Sequence, residues 1–172
     1  MKNEQILVHI RNVPDFPKKG IIFKDITTAL KNPDVFQAVI NNLCAAVKDI
    51  DFDCVVAIES RGFLLGAPLA YQMHKGLVLV RKKGKLPAKV IREEYALEYG
   101  TDILEMHEDA LEKGQKVLII DDVLATGGTV KAVCRMVEKA GGTSVGALFL
   151  MELTALSNNV QFNIPIYSLI KC

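Results

Sequence analysis

The sequence predicts an α/β fold around a parallel sheet, and three observations carry the prediction. Short continuous apolar runs, the mark of strands covered on both faces, recur at Cys54–Ile58, Leu77–Val80, Lys116–Ile120 and Ser144–Met151. Stretches with helical character lie between the runs, the alternation that produces crossover connections. The third run opens the segment Val117–Thr129, VLIIDDVLATGGT, in which a strand ends in two adjacent carboxylates and passes through a small-residue loop into a helix.

Taken in order, Asn32, Pro33 and Asp34 form a helix start, with asparagine as cap and proline at the first helical position. Phe36, Val39, Ile40, Leu43, Val47 and Ile50 then give that helix an apolar face. Cys54–Ile58 is a buried strand, Glu59–Gly62 the polar loop at its carboxyl end, Phe63–Met73 a helix and Leu77–Val80 the next strand. Lys116–Ile120 is another strand. Gly128–Ala140 is the helix after it, with Val130, Val133 and Val137 on one face and Gly141-Gly142 as terminator, and Ser144–Met151 is a further strand.

Residues 81–107 break this rhythm. Arg81–Pro87 is basic and turn-like, and Lys89–Tyr99 suits a hairpin but carries too many charges for a core strand. So long a polar excursion from an α/β core is expected to serve as an active-site flap. Residues 1–30 and 155–172 are expected to contribute a hood and cap, with Asp15–Leu30 and Asn159–Ile170 over the carboxyl edge of the sheet. With 172 residues and no proline- or glycine-rich linker, the whole span 1–172 is expected to be one domain.

Lys and Arg total 21 against 20 for Asp and Glu, a net charge of +1, so there is no global field to hold a nucleic acid backbone and any anion site must be local. Cysteines 44, 54, 134 and 172 show no C-x-x-C spacing, and His9, His74 and His107 are not grouped as zinc ligands. Reduced thiols are expected. The first 20 residues lack a secretory apolar region, and no run approaches the roughly 18 apolar residues that span a bilayer, so a cytoplasmic protein with no membrane partner is expected.

The chemistry concentrates at the third run. In open α/β sheets ligands bind beyond the carboxyl ends of the strands. Asp121 and Asp122 sit at such an end, where a chain already turning would let both carboxylates accept hydrogen bonds from a vicinal diol. In Ala125, Thr126, Gly127, Gly128 and Thr129, glycine flexibility, two hydroxyls and the positive end of the following helix suit a phosphomonoester. Together they point to a phosphorylated ribose. An aspartate pair before a glycine turn also occurs in solvated surface loops, but here a buried-type strand precedes it and an apolar-faced helix follows. Neither the P-loop pattern G-x-x-x-x-G-K-[ST] nor the dinucleotide pattern G-x-G-x-x-G is present.

Those residues resemble the signature of the type I phosphoribosyltransferases: four apolar residues, two acids, two apolar residues, any residue, then T-G-x-T, matched without a gap from Val117 to Thr129. Within that family the resemblance is closest to the adenine-transferring branch. It extends to Phe16–Ile26 (FPKKGIIFKDI), Ile58–Gly66 (IESRGFLLG), Arg81–Pro87 (RKKGKLP), Leu97–Gly100 (LEYG) and Leu104–Leu111 (LEMHEDAL).

The resemblance implies a central five-stranded parallel sheet flanked by helices, with a small hood and a flexible β-hairpin flap, assembled as a homodimer. It implies magnesium-dependent conversion of adenine and 5-phosphoribosyl 1-diphosphate to AMP and diphosphate in purine salvage, the metal being held mainly through the substrate diphosphate. Asp121 and Asp122 would approach the ribose hydroxyls, and Ala125–Thr129 would hold the 5′-phosphate. Ser60 and Arg61 resemble the pyrophosphate turn, typically with a cis peptide between the positions of Glu59 and Ser60. Arg81 and Lys85 resemble residues that reach the pyrophosphate from the neighbouring subunit. Ile22, Phe23 and Lys24 resemble the adenine-binding edge, with lysine where some members carry arginine and so without the planar fork. Glu98 resembles the flap residue that handles the purine proton, and Tyr95 and Tyr99 belong to the flap. Two other readings stand beside this one: transfer to a 6-oxopurine, and a sensor of the same substrate that has lost turnover.

Overall fold

The structure is a computed structural model that describes residues 1–96 and 101–172. The chain runs through α1 (Asn3–Leu7), β1 (Arg11–Pro14), β2 (Ile22–Asp25), α2 (Thr27–Leu30), α3 (Pro33–Ala46), β3 (Cys54–Ile58), α4 (Arg61–Gln72) and β4 (Gly76–Lys82). It continues with β5 (Val90–Ala96), β6 (Thr101–His107), β7 (Lys116–Leu124), α5 (Gly128–Lys139), β8 (Thr143–Glu152), α6 (Thr154–Ser157) and β9 (Ile166–Lys171).

The main sheet has the order β5-β6-β4-β3-β7-β8-β9. Strands β4, β3, β7, β8 and β9 pair in parallel, so the expected five-stranded parallel core is present. The antiparallel pair β5-β6 extends one edge through Arg81 and Lys82 of β4. Each of the continuous apolar runs is buried as its composition requires; all five residues of β3 are inaccessible. Side chains alternate across β7. Leu118 and Ile120 join a core with α1, α3 and α4, while Val117 and Ile119 face α5 and the hairpin. Asn32 caps α3 as its type predicts, its Oδ1 accepting from the amides of Asp34 (3.1 Å) and Val35 (3.3 Å), with Pro33 at the first position.

Three expectations are corrected. Residues 166–171, placed in the cap from sequence, are the edge strand β9, paired with β8 from Ala147↔Ile166 to Glu152↔Lys171. The hairpin strands are not a solvated excursion: Tyr95, Leu104 and Met106 lie in the core beside α5. Glu93 and Glu105 are buried against Arg135, Lys139 and Arg92. The strand carrying the acid pair runs on to Leu124, so Asp121 and Asp122 lie on extended chain rather than on a turn.

Connections β3-α4-β4 and β7-α5-β8 leave the middle of the sheet in opposite directions. Where strand order reverses in this way, the loops after the two central strands part and leave a crevice beyond their carboxyl ends. Asp121, Thr126 and Thr129 of VLIIDDVLATGGT and Arg61 of IESRG line that crevice.

Candidate functional site at the strand reversal

The crevice holds a cavity of about 630 Å³ lined by Lys18, Phe23, Arg61, Asp121, residues 123–127, Thr129 and Phe149, among others. On the β3 side, the Glu59–Ser60 peptide bond is cis, as the family resemblance implies, and Ser60 leads directly into Arg61, the first residue of α4. Helix α4 lies hard against the sheet because it presents glycine where a side chain would collide. A Cβ on Gly62 would sit 2.9 Å from the Ile120 carbonyl and 3.1 Å from Asp121 Oδ1, and one on Gly66 would sit 2.7 Å from the Ala57 Cβ. That approach brings the α4 amino end alongside the acid pair.

Asp121 and Asp122, on a continuing strand, take different surroundings. Asp122 is buried, with Oδ2 2.8 Å from Arg61 Nε, and its backbone N–H donates to Asp121 Oδ1 at 2.9 Å. Asp121 lines the cavity. Burial, reinforced by the neighbouring carboxylate, pushes the Asp121 acid well above the usual carboxylate range. Asp122 is also pushed up by burial, with the Arg61 charge opposing the rise. A cationic or hydrogen-bond-donating guest would favour the charged form of both acids.

The loop after β7 reaches α5 through Gly127, whose φ of +75° is the left-handed conformation that glycine adopts without strain. A side chain there would also meet Phe162, 2.6 Å from the Cβ position. Across the cavity, Phe23 on β2 carries Phe16 edge-on at 5.2 Å and the Arg61 guanidinium 4.8 Å from its ring centroid. Arg61 therefore touches both walls: the aromatic surface and the acid pair.

The phosphoribosyl transferase domain model matches residues 25–164. Adenine phosphoribosyltransferase of Thermotoga petrophila is 59% identical over 147 residues, 86% of each chain. The solved adenine phosphoribosyltransferase of Thermoanaerobacter pseudethanolicus superposes with a TM-score of 0.96 at 51% identity, over 99% of this chain and 100% of that one. The Saccharomyces cerevisiae adenine phosphoribosyltransferase, solved with an iminoaltritol bisphosphate and adenine, is 36% identical with a TM-score of 0.90 over 97% of each chain. The chain belongs to the adenine phosphoribosyltransferase family. It is a transferase of that family with the type I phosphoribosyltransferase fold.

Against the adenine phosphoribosyltransferase expectations, the structure gathers Phe23, Arg61, Asp121, Ala125, Thr126, Gly127 and Thr129 around one cavity. Gly128 opens α5 immediately beside them. Tyr95 is buried against the start of α5. Glu98 and Tyr99 lie outside the described residues.

Other expected residues stand apart from the cavity wall. The Lys24 amino group donates to Asn12 Oδ1 at 2.9 Å, on the strand opposite, while Ile22 is exposed at the end of β2. Arg81 and Lys85 are held by Glu59 of the same chain: Arg81 Nε donates to Oε2 at 3.2 Å and Lys85 Nζ to Oε1 at 2.7 Å, while the Lys82 amide donates to Oε2 at 3.0 Å. Burial would raise the Glu59 acid, but these donors outweigh it and hold it below the usual range.

Sequence reasoning missed Glu59 as the hub of the basic loop, and it missed Lys18 and Phe149 in the cavity wall. For Glu59 and Lys18 a signal was available, since each lies inside a segment quoted for the family resemblance. Phe149 carries no such mark, because an aromatic residue in an apolar strand reads as core.

Proposed function

We propose that this cavity is where adenine and 5-phosphoribosyl 1-diphosphate react to give AMP and diphosphate, the purine-salvage reaction of the family. Residues 125–129 hold the 5′-phosphate with backbone amides and hydroxyls at the positive end of α5. Asp121 and Asp122 take the ribose hydroxyls. Ser60 and Arg61 take the diphosphate, aided by Arg81 and Lys85, and the Ile22 to Lys24 strand reads the base against the Phe23 ring. The single observation that carries this reading is that Phe23, Arg61, Asp121 and the 125–129 loop line one cavity at the strand reversal.

The diphosphate is already a leaving group, so this chain's own work is alignment and charge stabilisation. As diphosphate departs and the sugar becomes cationic, cationic groups oppose the leaving charge and the acid pair lies under the developing positive charge, favouring the transition state over the ground state. Glu98 relays the purine N9 proton, and Tyr99 shapes the base end of the site. Magnesium would be held mainly through the substrate diphosphate and would supply charge neutralisation of the leaving group.

The active species is proposed to be a homodimer in the cytoplasm, with residues 81–107 as basic loop and flap, and 1–30 with 155–165 as hood and cap. An exposed apolar set on α4 and β4, formed by Leu64, Tyr71, Leu77 and Leu79, supports a partner surface next to the basic loop. Among the described residues no helix is long and apolar enough to cross a membrane.

Mixing purified protein with adenine, 5-phosphoribosyl 1-diphosphate and magnesium should yield AMP and diphosphate in equal amounts, with guanine and hypoxanthine competing poorly. Absence of AMP would overturn the reading; preference for a 6-oxopurine would move the specificity to the other branch.

A further inference from the structure

The basic loop between β4 and β5 carries Arg81, Lys82, Lys83 and Lys85, four cations in five residues, which left to themselves repel one another and extend. In the structure its turn is pinned at three successive amides. The Lys82 N–H donates to Glu59 Oε2 at 3.0 Å, the Lys83 N–H to the Ile103 carbonyl at 3.2 Å and the Gly84 N–H to Glu105 Oε2 at 2.8 Å. Arg81 closes the loop on itself, its Nη1 donating to the Lys85 carbonyl at 3.2 Å. At Gly84 the chain turns through a φ of +81°.

Glu105 is the least expected of these anchors, because only 1% of it is exposed. It stands opposite Arg81 in the β4-β6 register and opposite Arg92 in the β5-β6 register, and its second oxygen, Oε1, accepts from Arg92 Nε at 2.7 Å. Both oxygens are thus engaged. The Gly84 amide and the Arg92 guanidinium outweigh burial and hold the acid below the usual carboxylate range. A buried charge is costly, so one aimed at a loop amide marks a turn whose shape matters.

We propose that Glu105 is a positioning residue for the diphosphate subsite, fixing the Gly84 turn so that Arg81 and Lys85 are presented as one preformed unit. This rests on the function proposed above, which gives those two side chains to the diphosphate, and it adds a role for a residue that touches no substrate. The two carboxylates divide the work. Glu59 holds the Arg81 and Lys85 side chains, which exchange partners when a diphosphate arrives. Glu105 holds the backbone, so its bond survives that exchange and the loop need not be ordered at the moment of binding, a cost that would otherwise come out of affinity.

Glu105→Gln keeps the shape and removes the charge. The KM for 5-phosphoribosyl 1-diphosphate should rise about tenfold, the effect of one hydrogen bond to a charged group, while kcat falls no more than about threefold. Affinity for magnesium diphosphate, measured by calorimetry, should weaken in parallel. AMP and adenine, which carry no diphosphate, should bind as in the parent. Gly84→Val reaches the same turn from open space: no atom lies within 4 Å of the added Cβ, so it strains the backbone φ alone and should give the same selective loss. Arg92→Met removes the other partner of Glu105 and is the control for a loosened hairpin: it should lower the unfolding midpoint and leave diphosphate affinity alone. Unchanged diphosphate affinity in Glu105→Gln or Gly84→Val, equal losses for diphosphate, AMP and adenine, or a loss in Arg92→Met as large as that in Glu105→Gln each overturns the proposal. A parent protein that makes no AMP sinks the function above instead, and the diphosphate titration still decides the role of Glu105.

Discussion

Arg61 Nε lies 2.8 Å from Asp122 Oδ2, yet the contact lacks hydrogen-bond geometry. Asp122 Oδ2 and Arg61 Nη1 are both buried with no hydrogen-bond partner among the described residues. Buried polar atoms in a native protein are nearly always satisfied, and exceptions gather at working sites. The guanidinium is attracted to the carboxylate while part of its donor set stays uncommitted beside the cavity, in keeping with the proposed role of Arg61 in taking the diphosphate.

Arg61→Lys keeps the charge and loses the planar fork. It should lower kcat/KM by a factor on the order of ten to a hundred, corresponding to about 1.5–3 kcal/mol for one charge-assisted hydrogen bond. Steady-state kinetics at saturating adenine checks this, and the unfolding midpoint should move little.

Asp121 is an acid whose folded pKa is raised, first by burial and then by Asp122. A raised pKa means that the folded state prefers the protonated form. The group's contribution to stability is full below about pH 4 and is lost as pH rises through the elevated pKa. Asp121→Asn should therefore be more stable than the parent at pH 7 by about 0.5–2 kcal/mol while losing turnover. Denaturant midpoints at the two pH values test it: the advantage should vanish at the acid end.

Gly127→Ala asks an alanine to hold a φ of +75° with its Cβ against Phe162. It should cost about 1–3 kcal/mol of stability or shift the loop. Either outcome weakens binding of phosphoribosyl substrates before it touches adenine. Calorimetry with AMP and with adenine separates the two effects.

Glu98→Gln should retain affinity for 5-phosphoribosyl 1-diphosphate and lose most turnover, since the amide cannot accept the purine proton. Turnover equal to the parent's would remove Glu98 from the mechanism.

Thiol labelling should report burial residue by residue. Cys172 is exposed and should react at once with an aromatic disulfide reagent. Burial pushes the Cys54 thiol up to about 11, and Cys44 and Cys134 are also pushed up by burial. Mass spectrometry should find one modified cysteine in the native protein and four after unfolding, matching the four in the chain.

Where local chemistry decides the outcome, the sequence was readable. Asn32-Pro33 starts α3, and the apolar runs of β3 and β7 are buried on both faces as such runs must be. The 125–129 loop is legible because glycine, threonine and a helix start coincide within five residues. Partners distant in sequence were not. Glu93 and Glu105 look like solvent-facing charges until Arg135 and Lys139, more than forty residues away, or Arg92 on the facing strand, are brought alongside. Strand β9 was missed because it is half-buried at the edge, with Tyr167 and Ser168 breaking the apolar run. The two aspartates read as a turn because charge ordinarily ends a buried strand, whereas Arg61 beside Asp122 and the close approach of α4 accompany a strand that runs on through both.

Glycines 62 and 66 put the backbone of α4 almost in touch with Ile120 and Ala57. A common recipe for a hardier protein, trading helical glycine for alanine, is therefore closed in this helix: the methyl at 62 would strike the Asp121 carboxylate that lines the crevice. Heat tolerance in this chain must be sought on outward-facing helical positions, and a homologue adapted to hot surroundings should keep both residues bare.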